Sequence, residues 1–152
     1  MRKTRIAAVA AGMALLFAAA AMSEEITYTK HIRPLFDARC SFCHGPDAAP
    51  EYSEFKKEKD KWLAQGKGMR MDTYSHLIFF TAWPDTGSLM RRLNDGSGVE
   101  GSKPGNMYQF LGDTEQERQN NLELFRKWVG NWTLKRWNEV SKEDLDSIRV
   151  EY

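Results

Sequence analysis

Apolar residues recur at three- and four-residue intervals in several stretches of this chain and alternate with polar ones in none, which predicts an all-α fold. Ile32, Leu35 and Phe36 share one helical face that continues through the stem of Arg39 to Cys40. Pro34 lacks a backbone donor and belongs in a first turn. The helix is therefore expected to start near His31 to Arg33, with Thr29 or His31 close to its cap. From Glu51 to Gln65 most positions are charged, and Tyr52, Phe55, Trp62 and Leu63 form the apolar stripe of one solvated helix. Gly66-Lys67-Gly68 breaks that pattern. A short helix capped by Asp72 or Thr73 should turn Leu77, Ile78 and Phe79 inward, and Trp83-Pro84 should interrupt it. Asp85-Thr86-Gly87-Ser88 opens another short helix through Leu89, Met90 and Leu93, which stops at Asn94-Asp95-Gly96. Gly96, Gly98, Gly101, Gly105 and Pro104 make a loop that leads to Met107. Thr114-Glu115-Gln116-Glu117 is a capping box. It opens the longest helix, whose inner face is Leu122, Phe125, Trp128 and Val129 and whose end is Gly130. Ser141-Lys142-Glu143-Asp144 caps a last short helix expected on the surface.

The beginning of the chain follows a different pattern. Arg2, Lys3 and Arg5 precede an uncharged apolar run from Ile6 to Ala21, and small residues follow at Ala19-Ala20-Ala21 and Ala21-Met22-Ser23. A membrane-spanning helix needs roughly 20 apolar residues, and this run is shorter. The layout predicts a secretory signal peptide over residues 1–23, export to the periplasm, and no stable membrane insertion after cleavage. Residues 24–152 then make a single domain, with a core at about 27–130 and a C-terminal extension at 131–152.

Charge and composition add little beyond this. The whole chain carries 22 bases and 21 acids, a formal net charge of +1. Removing the signal takes away three bases and no acids, so residues 24–152 are mildly acidic. Nothing in the pattern argues for nucleic acid. The 5 tryptophans and 8 phenylalanines suit a small domain wrapped round a large flat apolar ligand, and suit any aromatic core equally well.

The candidate chemistry lies in Cys40-Ser41-Phe42-Cys43-His44, which contains both cysteines of the chain. A disulfide across C-x-x-C closes too short a loop to stabilise much. A thioredoxin-like dithiol needs a strand-helix-strand context that the pattern lacks. A structural zinc needs four ligands, and His31 and His76 are the remaining conventional candidates. C-x-x-C-H is a c-haem attachment signature. Cysteines three apart on a helical turn project to one side, where each sulfur can meet one vinyl group along one edge of the porphyrin. His44 then lies under the ring and offers a neutral imidazole nitrogen to the iron.

An Ile-x-Pro-Leu-Phe helix running into Cys40-Ser41-Phe42-Cys43-His44-Gly45 resembles the class I (monohaem) cytochrome c family. Met69-Arg70-Met71-Asp72-Thr73-Tyr74, Gly87-Ser88-Leu89-Met90-Arg91-Arg92-Leu93 and the Trp128-bearing last helix are also similar to segments of that family, so the match covers most of residues 27–130. The resemblance implies a small helical domain wrapped round one covalent haem c, here with an extra charged helix after the haem motif. It implies that His44 is the proximal ligand and that the sixth ligand is a methionine in the loop before the last helix, where Met107 stands. Met71 and Met90 occupy places the family gives to buried leucine. Met69, just after a glycine break, and His76 stay open as alternatives, and Tyr108 follows Met107 where the family usually has proline. A proline carbonyl that orients the proximal imidazole would come from Pro46 or Pro50.

The implied function is that of a periplasmic electron carrier that meets redox partner proteins through weak contacts and has no catalytic residues of its own. Two other readings remain. A displaceable sixth ligand would make a small-gas sensor, betrayed by rapid carbon monoxide binding. An electron-transfer subunit of a larger oxidoreductase would co-purify with its partner.

Overall fold

A computed structural model of the protein describes residues 24–81, 87–97 and 102–152. The expected signal at 1–23, the interruption at Trp83-Pro84, the start at Asp85-Thr86, and Gly98 and Gly101 lie outside these residues. All regular elements among the described residues are helical, as the hydrophobic pattern predicts.

The first helical turn is wider than an α-helix. Residues Tyr28–Ile32 form a π turn capped by Thr27, whose side chain accepts from the Lys30 amide, and helix α1 (Arg33–Arg39) continues from it. The cap therefore falls two residues before Thr29, the earlier of the expected positions. In an α turn the Pro34 ring would clash with the carbonyl of Lys30, and widening the turn is one way to relieve that contact. Cys40 breaks the helix at φ −119°, and a separate single turn, α2 (Ser41–His44), carries the second cysteine and the histidine.

The charged stretch after the motif is two helices rather than one. Helices α3 (Tyr52–Lys57) and α4 (Lys59–Ala64) are separated at Glu58, where φ is −128° and ψ is 41°. Across this break Phe55 is buried while Leu63 is exposed. Tyr52, against Phe79 and Phe80, anchors the arm.

Helix α5 (Tyr74–Phe79), capped by Thr73, buries Leu77, and Phe80 is buried just beyond it. Helix α6 (Ser88–Leu93) buries Leu89, Met90 and Leu93, which bears out Met90 as a core residue. After Met107 the chain makes a 3-10 turn, Tyr108–Leu111, absent from the sequence pattern. Helix α7 (Glu115–Val129) shows both halves of the expected capping box between Thr114 and Glu117, and its buried face is Leu122, Phe125, Trp128 and Val129. These four side chains join Ile32, Leu77, Met90 and Leu111 in one core. Each such side chain contributes roughly 1.5–3 kcal/mol on burial.

Helix α8 (Lys142–Asp146) has no buried residue, but the chain beyond it returns to the core. The Arg149 and Val150 amides donate to the carbonyls of Val129 and Trp128, both at 2.9 Å. The Glu151 carbonyl accepts from the Tyr28 amide and from Trp128 Nε1, each at 2.8 Å. Tyr74 donates its hydroxyl to the Val150 carbonyl at 2.7 Å. Tyr152 completes an aromatic cluster with Tyr28, Tyr74 and Trp128. Val150 adopts φ 43°, a costly conformation for a β-branched residue, and the bonds on either side of it hold it there. The last residues thus tie the first helical turn to the longest helix.

Candidate haem site

The pentapeptide is assembled at a helix break. The Cys40 amide donates to the Phe36 carbonyl at 2.8 Å, and the Cys40 carbonyl accepts from the amides of Cys43 and His44 at 3.1 and 2.9 Å. Buried Ile32 and Phe36 fix α1 against the core and so set where Cys40 emerges. The two sulfurs are not joined to each other, and Cys43 is the more exposed. Burial, with a smaller contribution from Cys43, pushes the Cys40 thiol up to about 12, the opposite of the activated thiolate a redox dithiol needs. Phe42, between the cysteines, is 92% exposed.

His44 is half-buried, and its ring is oriented by backbone. Its Nδ1 donates to the Met69 carbonyl at 2.7 Å, so the proton sits on Nδ1 and the lone pair on Nε2. No group among the described residues bonds Nε2. The orienting carbonyl is thus that of Met69, in place of the expected Pro46 or Pro50. Pro50 acts one step removed: its carbonyl accepts from the Arg70 amide at 2.8 Å, and the Met71 amide donates to the His44 carbonyl at 2.9 Å, which lays segment 69–71 along the histidine. Such close approach requires Gly68, where a Cβ would stand 2.5 Å from His44 Cε1 and 3.0 Å from Nδ1.

Charged side chains brace this segment. Arg70 bridges Glu51 at 2.7 Å and Asp72 at 2.5 Å. The hydrogen bond from Arg70 outweighs burial and holds the Asp72 carboxyl below its ordinary range. His76 lies between the same two acids, with Nε2 3.3 Å from Glu51 and Nδ1 3.5 Å from Asp72. Met69 thus stands by its backbone carbonyl beside His44 Nδ1, and His76 faces the two acids.

Met107 is held by other elements. Its amide donates to the Arg92 carbonyl at 3.0 Å, and the Gly105 amide donates to the Asn94 carbonyl at 2.7 Å, pinning the loop to the end of α6. A Cβ at Gly105 would stand 2.4 Å or less from the carbonyl oxygens of Arg91 and Arg92, so the approach needs glycine there. The Met107 side chain is half-buried against the core. Tyr108, where proline was expected, hydrogen-bonds Glu115 and accepts from Gln119 Nε2 at 2.8 Å, locking the next residue to α7.

The chain matches the family model described as PccH cytochrome c over residues 27–152. It belongs to the PccH cytochrome c family. Among solved structures, the monoheme cytochrome PccH from Geobacter sulfurreducens is 64% identical, with a TM-score of 0.79 over 85% of this chain and 100% of that one. No curated protein matches. Membership establishes a monohaem cytochrome c whose cofactor is one c-type haem with its iron. The donors fit that group: two thiols three residues apart, an imidazole with Nε2 unengaged, and a carbonyl that orients the ring through Nδ1.

Proposed function

We propose that this chain is a periplasmic carrier of single electrons, exported by residues 1–23. In this reading Cys40 and Cys43 would hold the haem through their sulfurs, and His44 Nε2 and Met107 Sδ would ligate its iron. When bound, the haem supplies an iron that takes up and gives back one electron.

The observation that carries the reading is the hydrogen bond from His44 Nδ1 to the Met69 carbonyl. It orients the ring, leaves Nε2 as the nitrogen open to a ligand, and raises the basicity of that nitrogen. The same bond argues against the rivals of Met107. Met69 is held by its backbone carbonyl at Nδ1, and His76 lies between Glu51 and Asp72. Met107 is presented separately, by the loop pinned to the end of α6. Its thioether favours the ferrous state and raises the potential relative to a second imidazole. No helix among the described residues is long and apolar enough to cross a membrane, which accords with a carrier that meets redox proteins through small, short-lived contacts.

Met107→Ala tests the assignment. The ferric holoprotein should lose the weak sulfur-to-iron absorption band at the red end of its spectrum, and the reduced variant should bind carbon monoxide rapidly. An unchanged spectrum would remove Met107 as a ligand.

A further inference from the structure

We propose that the α3–α4 arm is a docking surface for an acidic redox protein; this rests on the electron-carrier reading. Between residues 56 and 67 the chain has five lysines (Lys56, Lys57, Lys59, Lys61 and Lys67) and two acids, Glu58 and Asp60. The rest of residues 24–152 carries fourteen bases and nineteen acids. The arm is therefore a local excess of positive charge on an otherwise acidic protein.

Four of these lysines are exposed, and Lys67 is half-buried. Lys61 alone among them forms an ion pair within the described residues, with Glu58 at 2.8 Å. Lys61 and Lys67 bracket the Trp62 ring at 5.1 and 5.8 Å from its centroid, and Leu63 beside it is exposed. An aromatic and an aliphatic residue ringed by lysines, most of them without an ion pair, have the composition of a docking centre with a charged rim.

The arm leaves the body at Pro50 and rejoins it at Gly68, and both ends meet at His44: Pro50 through the Arg70 amide, Gly68 by direct approach to the imidazole. Lys67 is thus one residue from the backbone that touches the iron-binding ring. A partner drawn to these charges is brought to the His44 side of the haem. Electrostatic steering of this kind raises association rates by factors of about 10 to 1,000 and weakens with salt.

The test is oxidation of the ferrous holoprotein in a stopped-flow mixer by anionic hexacyanoferrate(III) and by cationic tris(phenanthroline)cobalt(III), across a range of ionic strength. Two triple variants carry the same charge change: Lys56→Glu/Lys57→Glu/Lys59→Glu on the arm and Lys30→Glu/Lys127→Glu/Lys142→Glu away from it. An unchanged absorption spectrum certifies the haem pocket of each. The arm variant should slow the anionic oxidant about tenfold at low salt and speed the cationic one, while the control changes either rate less than twofold. Equal effects of the two variants, or wild-type rates for hexacyanoferrate that do not fall with salt, would overturn the docking surface and leave the carrier reading intact. Failure of the wild type to exchange electrons with either reagent would overturn both.

Discussion

Deleting residues 150–152 should cost far more stability than the loss of a surface tail. Three donors on buried or half-buried residues lose their acceptors: the Tyr28 amide, Trp128 Nε1 and the Tyr74 hydroxyl, now bonded at 2.8, 2.8 and 2.7 Å. Tyr28 and Trp128 are only 4% and 0% exposed. An orphaned buried donor costs about 1–3 kcal/mol, and the low end applies because truncation lets water approach, which makes about 3 kcal/mol for the three. Tyr152 stacks on Tyr28 at 5.8 Å and meets Tyr74 edge-on at 5.1 Å. Losing both ring contacts adds about 1 kcal/mol. The total of about 4 kcal/mol is a large share of a typical domain's 5–15 kcal/mol. Urea unfolding of the holoprotein followed by far-ultraviolet circular dichroism reads it directly. With a slope of about 2 kcal/mol per molar urea, the midpoint should fall by about 2 M. A fall of less than about 0.5 M, on the same scale, would refute the view that these residues close the core.

Gly68→Ala places a methyl 2.5 Å from His44 Cε1; the imidazole must tilt, so the visible spectrum should gain high-spin character, and a wild-type spectrum would show that segment 66–68 yields instead. Asp95→Asn tests acid stability. Burial favours the neutral Asp95, but hydrogen bonds from Ser97 and Gln119 and the charge of Arg126 prevail and bring the folded value down to about 2. Because that lies below the unfolded value of about 3.9, the stabilisation is present above pH about 4 and is lost as pH falls toward 2. The asparagine variant should show a shallower loss of unfolding free energy across that window, and parallel curves would exclude the contribution.

How legible each part was depends on which atoms do the work. Helix α7 could be read almost to its ends, because Thr114, Glu117 and Gly130 are side-chain signals and the Leu122-to-Val129 stripe is periodic. The Cys40–His44 pentapeptide stands out as a candidate haem site because that chemistry needs particular side chains at a particular spacing. The carbonyl that orients His44 was not legible: every residue has one, and Pro46 and Pro50 were favoured only by resemblance. The trace left in the sequence is Gly68, a residue with no side chain to obstruct the imidazole. The division of Glu51–Gln65 into α3 and α4 was hidden because Glu58, where the break falls, is a good helix former and carries no breaker signal. The return of residues 149–152 was hidden for the same reason as the Met69 carbonyl, since most of its bonds run through backbone.

That return also sets an order of events. Residue 28 cannot bond residue 151 until the intervening 122 residues have been made and delivered, and closing so long a loop is entropically slow to nucleate. Cys40, Cys43 and His44 lie near the leading end of this stretch, on a single turn set off by the break at Cys40. They therefore emerge early, while the clamp that seals the aromatic cluster forms late. The interval between the two is a window in which an attachment apparatus can reach both thiols before the molecule closes on itself.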